Sequence, residues 1–492
     1  MLRLCHRFKQ IRMIDSIQNV LVQASDFLWS HVIIAVLVCC AVFFTLRTRF
    51  VQFRLVGEMV RLLLNPDRVE PDDIGKDELS MDVKVDGEMK HISSFQAFVV
   101  ALASRIGTGN LAGVATAISI GGPGAVFWMW MLALLGSSSA FIESTLAQLY
   151  KRRGKASFYG GPAYYMKHGL GKGWMGILFA VLMIVTFGFA YNSVQSNTIC
   201  LAWQKAFGVE PAAMGVVLTA LTLLIIFGGI HRVAKFSSTV VPVMAVVYLL
   251  VAVGVVVCNI ARLPEVLMTI VENAFGFGQA AGGVLGVTVM QGVKRGLFSN
   301  EAGEGSAPNA AAAATVSHPV KQGLIQAMGV FTDTLVVCSC TAFIILVSGV
   351  DVTASNGIEL TQNALAHEIG SIGNPFVAVM IWLFAFSSII GNYYYGETNV
   401  RYIKDSRLSV LAYRLAVAAM VMTGAVVSLD LAWSFADIAM ALLTLCNLVA
   451  IVLLSRQAVF LLQDYRQQKK EGRNPVFTKD KMPEIADELE AW

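Results

Sequence analysis

Long apolar runs alternate with short polar turns along most of this chain. A helix needs about 20 apolar residues to cross a hydrocarbon layer about 30 Å thick. Runs of that order cover residues 27–46, 93–119, 123–149, 174–199, 211–229, 236–258, 278–302, 320–348, 374–398, 408–428 and 432–456. The pattern therefore predicts an all-α membrane protein with eleven transmembrane helices, numbered one to eleven below.

Composition supports this class and excludes others. Of the 492 residues, 56% are hydrophobic and 14% are charged, which is more apolar surface than a water-soluble domain buries. The net charge is +4, and the basic residues lie in separate loops, so no nucleic-acid partner is expected. The eight cysteines lack a C-x-x-C spacing, and the seven histidines form no metal-binding pair. We therefore expect that the protein binds no cofactor and no transition metal, and that it is not an enzyme.

Loop charges predict how the helices are oriented. Short cytoplasmic loops collect Lys and Arg, and such residues follow helices one, three, five and nine. Every second loop is then cytoplasmic. We therefore expect a protein of the cell inner membrane, with its N-terminus outside the cell and its C-terminal tail in the cytoplasm. Arg3, Arg7, Lys9 and Arg12 conflict with this orientation. A translation start at Met13 would remove them.

Segment two has polar residues and glycines at its centre. Arg105 is followed by Gly107 and Gly109, and each interior glycine costs a helix about 1 kcal/mol relative to alanine. A break at bilayer depth is tolerated only where protein or water satisfies the freed backbone groups, so a break implies a cavity. The half-helix after the break would then direct N–H groups at a carboxylate. Close helix packing through the small residues is the alternative. A dinucleotide-binding motif is excluded, since the third glycine is misplaced and no strand precedes it.

Segment seven repeats the feature. Gly282, Gly283, Gly286 and Gly292 interrupt its apolar run, so we expect a second break there. Two broken helices five segments apart are typical of a carrier built from two inverted repeats. The predicted organisation is 1–60 for a leader, an extra helix and the start of a loop, 61–92 for a polar cytoplasmic loop, 93–260 and 261–456 for the two five-helix repeats, and 457–492 for a cytoplasmic tail.

Several motifs resemble the alanine or glycine:cation symporter family. They are GGPGAVFWMW at residues 121–130, GTGNLAG at 107–113, GLFSNEAG at 296–303, SAP at 306–308 and HPVKQG at 318–323. The resemblance covers about residues 27–456 and implies the leucine-transporter fold. It also implies a small amino-acid substrate, alanine or glycine, with sodium as the coupling ion.

The implied fold suggests where sodium would bind. Sodium prefers oxygen ligands. In that fold the hydroxyls of Ser387 and Ser388 and the Phe384 carbonyl would face the broken part of helix two, where Ala103 and Ile106 supply carbonyls. The alternative is that the two serines only bond to carbonyls one turn back in their own helix.

The substrate carboxylate is expected at the N–H groups of Thr108, Gly109 and Asn110. Polar amides in apolar segments are candidates for holding the rest of the amino acid, although hydrogen bonds between helices could equally explain them. These amides are Asn192 and Gln195 on one face of helix four, and Gln291 beside the expected break in helix seven.

Ionisable residues inside the spans require partners, because an unpaired charge there costs about 2.5–3.5 kcal/mol or more. Arg105 and Asp333 could pair with each other. Alternatively, Asp333 could meet Lys294 or Arg295 in an inner gate or in a permanent structural pair. The rival functions are a proton-driven or differently selective carrier of the same fold and, more remotely, an ion channel.

Overall fold

The computed structural model describes residues 20–64, 92–154, 157–276 and 282–492. Helices dominate these residues: α1 Val20–Arg47, α2 Val51–Arg54, α3 Val56–Leu64, α4 Ser94–Arg105, α5 Gly109–Gly121, α6 Gly124–Leu149, α7 Gly173–Phe207, α8 Pro211–Ile226, α9 Gly229–Cys258, α10 Leu263–Ala274, α11 Gly282–Asn300, α12 Ala307–Ala311, α13 Pro319–Ser348, α14 Ile358–Ile369, α15 Gly373–Ile403, α16 Arg407–Val426 and α17 Leu429–Lys470. Two short antiparallel strands, β1 Arg152–Arg153 and β2 Phe158–Tyr159, pair between α6 and α7. The basic leader, the Met13 start and most of the polar loop at 61–92 lie outside the described residues.

Eight helices in the described ranges are long and apolar enough to cross a membrane, and α4 with α5 makes a ninth as a bent pair. Helices α8 and α11 occupy the other two predicted segments. Helix α8 has only 16 residues, and α11 carries Lys294 and Arg295. The all-helical membrane class is confirmed, but the count of eleven spans is not.

Helix two breaks where the sequence predicts it. Ser93 begins α4 with a capping box, in which its hydroxyl accepts from the Gln96 N–H and the Gln96 side chain accepts from the Ser93 N–H. Ile106 then adopts an extended conformation, and α5 leaves at 49° to α4. The Gly107 N–H donates to the Asn110 side chain at 2.9 Å instead of to the preceding turn. The local sequence therefore supplies its own cap for the new half-helix.

The second break lies later than the sequence analysis predicts. Helix α11 continues from Gly282 through Gly286 and Gly292 to Asn300. At Gly292, an added Cβ would lie 2.5 Å from the Ala125 carbonyl oxygen, so this glycine allows α11 to pack closely on α6. The chain unwinds only after Asn300, with Glu301 at φ 56° and Gly303 at φ 94°, before α12 begins. The prediction of a break among the four glycines is wrong.

Two further helices near the broken ones contain π-helical stretches, whose turns are wider than those of an α-helix. Helix α7 contains a π-helical stretch at Ile184–Tyr191, and α13 contains another at Phe331–Cys338. Such stretches are rare and often occur at functional sites. The first ends immediately before Asn192, and the second contains Asp333.

Candidate functional site

Ser388 on α15 contacts the break in helix two. Its Oγ lies 3.0 Å from the Ala103 carbonyl oxygen, 3.2 Å from that of Ile106 and 3.1 Å from that of Phe384. A hydroxyl has one hydrogen and can donate to only one of them. The four oxygens belong to residues that are wholly buried. A set of neutral oxygens with too few donors fits an alkali metal ion.

The break is what frees two of these carbonyl oxygens. In a continuous helix, the Ala103 carbonyl would accept from the Gly107 N–H, which instead donates to Asn110. The Ile106 carbonyl would accept from the Asn110 N–H, which instead meets the Gly107 carbonyl at 3.3 Å. Both oxygens therefore have room for another partner.

Ser387 differs from its neighbour. Its hydroxyl donates to the Phe384 carbonyl at 2.8 Å, and Met244 of α9 lies on its other side, with the sulfur 4.0 Å away. This is the bond one turn back that the sequence analysis left as the alternative. Ser387 thus shares only the Phe384 oxygen with the cluster around Ser388.

The expected substrate-binding backbone lies against α7 and α11. Both the N–H and the hydroxyl of Thr108 donate to Oε1 of Gln195, at 2.9 and 2.5 Å. At Gly109, an added Cβ would lie 3.0 Å from the Ser299 Cα and 3.1 Å from the Phe298 ring. The structure therefore brings Thr108, Gly109 and Gln195 together in a space with no room for a larger residue at 109.

Asp333 binds site residues and not the predicted cations. Its carboxylate accepts from the Asn110 side chain at 2.7 Å and from the Ser299 hydroxyl at 2.7 Å. Arg105 donates to the Gln326 carbonyl at 3.3 Å and makes no ion pair within the part of the chain that the structure describes. The predicted Arg105–Asp333 pair is wrong.

Lys294 and Arg295 share a different acid. The Lys294 ammonium lies 2.7 Å from the Asp437 carboxylate on α17, and the Arg295 guanidinium binds both carboxylate oxygens, at 3.1 and 2.9 Å. All three side chains are buried. The predicted pairing of either cation with Asp333 is wrong because both cations pair with Asp437, 142 residues after Arg295.

The two remaining amides occupy different places. The Asn192 Oδ1 accepts from Asn392 at 3.1 Å, and the Asn392 Oδ1 lies 2.8 Å from the Ser104 hydroxyl oxygen, so Asn192 is connected to the end of α4. Gln291 packs on Gly121, where an added Cβ would lie 2.9 Å from the Gln291 Cβ. It stands about 15 Å along α11 from the real break, so its predicted position beside the break is wrong.

A buried carboxylate that the sequence analysis missed stabilises the second break. Glu143 of α6 accepts from the N–H groups of Gly303 and Gly305 at 3.3 and 3.2 Å. Asn447 of α17 donates to Glu143 at 2.8 Å and to the Gly303 carbonyl at 2.9 Å. An acid in the middle of an apolar segment is the signal that could have identified Glu143.

Two more buried acids belong to the unwound residues themselves. Glu301 accepts from Ser104 at 2.7 Å and from Ser306 at 2.5 Å, while Glu304 accepts from the Tyr191 hydroxyl at 3.1 Å. Glu301 therefore connects the first break to the second through Ser104.

Aromatic rings and a cavity complete the surroundings of the site. The Phe298 ring centroid lies 4.6 Å from that of Tyr191 and 4.7 Å from that of Trp433. A cavity of about 350 Å³ is lined by residues at the C-terminal end of α7, from α14 and from the start of α17, including Thr198, Leu201, Gln362 and Leu429. Thr198 is three residues after Gln195, so the cavity begins within one turn of the site.

Comparison with known proteins identifies the family. The model of the sodium:alanine symporter family matches residues 14–479. The chain belongs to this family. It is 50% identical over 458 residues to a probable sodium/glutamine symporter, GlnT, of Bacillus subtilis, covering 93% of this chain and 92% of the relative. It is 48% identical over 468 residues to the amino-acid carrier protein AlsT of the same organism, covering 95% and 96%.

A solved structure supports the predicted fold of this family member. The crystal structure of MhsT in complex with L-phenylalanine aligns with a TM-score of 0.52 and 11% identity, covering 82% of this chain and 93% of that one. The similarity confirms the leucine-transporter fold. The protein is a multi-pass membrane transporter and not an enzyme.

Proposed function

We propose that this protein imports a small neutral amino acid, alanine or glycine, together with sodium across the cell inner membrane. The observation that carries the proposal is the convergence of the Ala103, Ile106 and Phe384 carbonyls on the Ser388 hydroxyl. This oxygen cluster lies beside the backbone that begins at Thr108. Sodium in the cluster would fix the direction of α5, whose first N–H groups would then bind the substrate carboxylate, with the Thr108 N–H exchanging its bond to Gln195 for one to the substrate.

Coupling follows from this arrangement. Sodium binding orders the break in helix two against α15. The substrate then binds a site that is already ordered, so its binding costs less conformational entropy. One sodium ion gains about 2.3 kcal/mol per 100 mV of membrane potential. A tenfold sodium gradient adds about 1.4 kcal/mol. One ion per zwitterion is therefore enough to concentrate the substrate several hundredfold.

Local crowding supports a small substrate. Gly107 and Gly109 leave no space for a Cβ, since one at Gly107 would lie 2.3 Å from the Ser388 hydroxyl. The contacting rings of Tyr191, Phe298 and Trp433 bound the same region. A substrate with a single methyl or no side chain fits such surroundings best. Glutamine is the second candidate, and the 50% identity with the probable sodium/glutamine symporter favours it.

The test is uptake into proteoliposomes of labelled alanine, glycine and glutamine at fixed pH and fixed membrane potential. We expect saturable uptake of alanine or glycine that is lost when choline replaces sodium. Uptake of glutamine alone would support the second candidate. Amino-acid-independent currents that do not saturate would instead indicate a channel.

A proton could replace sodium as the driving ion, and Asp333 is the residue that favours this alternative. Its buried carboxylate contacts Asn110 directly. Uptake that persists without sodium and follows an imposed pH gradient would support it, and Asp333→Asn would then abolish the pH dependence. Loss of uptake on sodium removal, with no response to the pH gradient, would exclude it.

A further inference from the structure

Residues 474–492, called the strap below, return from the end of α17 and lie across one face of the protein. The turn into the strap is fixed by Gln468, whose side chain donates to the Val476 carbonyl at 2.9 Å and accepts from its N–H at 3.0 Å. The Phe477 N–H then donates to the Ser317 carbonyl at 2.9 Å, and the Ser317 hydroxyl donates to the Pro475 carbonyl at 2.9 Å. The strap is thereby joined to the segment that follows α12.

Both broken helices end beneath the strap. The Thr315 N–H donates to the Ile92 carbonyl at 3.0 Å, which ties the chain just before α4 to the chain just after α12. Five side chains from these two segments form a separate buried apolar cluster, and Trp492 packs against it: Ile92, Ala97, Ala313, Ala314 and Val316. The strap therefore covers the junction between the two half-helices.

Trp492 also attaches this junction to α6. Its indole N–H donates to the Gln148 carbonyl at 3.0 Å, and the Lys151 ammonium lies 4.2 Å from the ring centroid. The Gln148 side chain donates to the Ala314 carbonyl at 2.9 Å. One side chain thus connects α4, α12 and α6.

Ion pairs extend the attachment toward α7. Glu490 lies 3.1 Å from the Arg152 guanidinium and accepts from the Arg153 N–H at 3.1 Å. Glu488 lies 2.7 Å from His168, which precedes α7. Exposed pairs of this kind contribute little individually, so the partly buried Trp492 and the buried Phe477 are the main contacts and the ion pairs set the register.

His318 lies beneath the strap, and its contacts fit the neutral ring that carries its proton on Nε2. Its Nε2–H donates to Asp464 at 3.1 Å, and its Nδ1 accepts from the Val320 N–H at 3.2 Å, so a second ring proton would oppose that donor. Burial lowers the pKa of His318 from 6.5 to about 4, and Lys481 and Lys321 add to the effect. Its ring packs against Phe477 of the strap, with centroids 5.9 Å apart.

We propose that the strap is a latch that holds the ends of α4 and α12 together and keeps the site closed toward its own face of the membrane. The inference rests on the proposed transport cycle, in which the site must open to each face in turn. Opening toward the strap requires the ends of α4 and α12 to separate, and Trp492 bridges both. Residues 480–492 lie beyond the stretch that the family model matches.

The test uses a reporter that the strap does not touch. Leu201 lines the cavity on α7, about 40 Å along that helix from its start beside the strap. A Leu201→Cys variant is modified with a membrane-impermeant thiol reagent from that far face, with the unsubstituted chain as the blank. We expect Trp492→Ala to slow the modification at least threefold, because release of the latch shifts the protein toward opening on the strap face. Glu484→Ala, an exposed strap residue, is the matched control and should leave the rate unchanged.

An equal rate in the Trp492→Ala and parent proteins would overturn the proposal. A second variant covers the case in which Trp492→Ala does not fold. Ser317→Cys combined with Pro475→Cys should form a disulfide that pins the strap, stop exchange of substrate across the membrane when oxidised, and release it on reduction. Continued exchange in the fully oxidised protein would also overturn the latch.

These outcomes separate the latch from the proposed substrate. The thiol reaction needs no transport, so a shift in its rate supports the latch even if alanine and glycine are not carried. Sodium-dependent uptake with no change in the thiol rate would leave the proposed function standing and remove the latch.

Discussion

Ser388→Ala tests the proposed ion site most directly. The substitution removes a side-chain oxygen that lies within 3.2 Å of all three carbonyl oxygens of Ala103, Ile106 and Phe384. It leaves the helix intact, since alanine is a better helix former than serine. The three carbonyls would remain, so an ion could still bind, but with one ligand fewer.

The magnitude follows from the loss of one interaction with a charge. A hydrogen-bonding group contributes about 1.5–3 kcal/mol to a charged partner in a buried site. Each 1.4 kcal/mol is about a tenfold change in affinity. The sodium concentration that gives half-maximal uptake should therefore rise by about 10- to 150-fold, with a much smaller change in the folded yield.

The assay is sodium-dependent uptake in proteoliposomes, together with the thermal shift that sodium induces in the purified protein. Ser455→Ala is the matched control, because Ser455 is buried on α17 and its hydroxyl donates to the Val452 carbonyl three residues back, at 2.8 Å. Ser387→Ala should have a smaller effect than Ser388→Ala, since its hydroxyl reaches only the Phe384 carbonyl of the cluster. A sodium requirement within threefold of the parent protein in Ser388→Ala would refute the proposed site.

Three other changes test separate parts of the structure. Gly109→Ala should reduce uptake per folded protein at least tenfold, because its Cβ would lie 3.0 Å from the Ser299 Cα; uptake near that of the parent would contradict the crowding argument. Asp437→Asn leaves two buried cations without an anion and should cost about 3–5 kcal/mol, measured as a lower melting temperature in detergent; an unchanged melting temperature would contradict it. Lowering the pH from 7.5 to 5.5 should destabilise the folded state through His318 by about 1.4 kcal/mol, because the unfolded chain binds the proton with a pKa of 6.5 and the folded chain with one of about 4. Stability from this group is complete above pH 6.5 and is lost as the pH falls toward 4, so His318→Asn should show a smaller loss of melting temperature; an identical loss would exclude His318 as the cause.

The first break was predictable because its causes are local. Two glycines, a buried arginine and an asparagine that caps the new helix stand within six residues, at 105–110. The resemblance to the symporter family then supplied Ser388, which lies 282 residues after Ile106 and could not be paired with it from spacing alone.

The second break was misplaced because glycine has two roles in membrane helices. Gly292 and Gly296 admit the backbone of α6, where added Cβ atoms would lie 2.5 Å from the Ala125 carbonyl oxygen and 3.3 Å from the Met129 Cα, and the helix around them stays regular. The unwound residues further on are held by Glu143, a partner 160 residues earlier. Apolar periodicity does not reveal such a partner, nor does it reveal that Asp437 pairs with Lys294.

The two breaks differ in how many of their freed backbone groups have hydrogen-bond partners. This difference indicates which break sodium stabilises. At the second break, Glu143 accepts from two N–H groups, and Asn447 donates to the Gly303 carbonyl, so these three freed groups have partners without a ligand. At the first break, the freed carbonyls of Ala103 and Ile106 share the single hydroxyl hydrogen of Ser388, while the Phe384 carbonyl also accepts from Ser387. Because buried carbonyls without donors are costly, a cation stabilises the first break far more than the second. Sodium should therefore slow hydrogen exchange around α4 and α5 and leave the segment between α11 and α12 unchanged; equal protection of both breaks would show that the ion acts elsewhere.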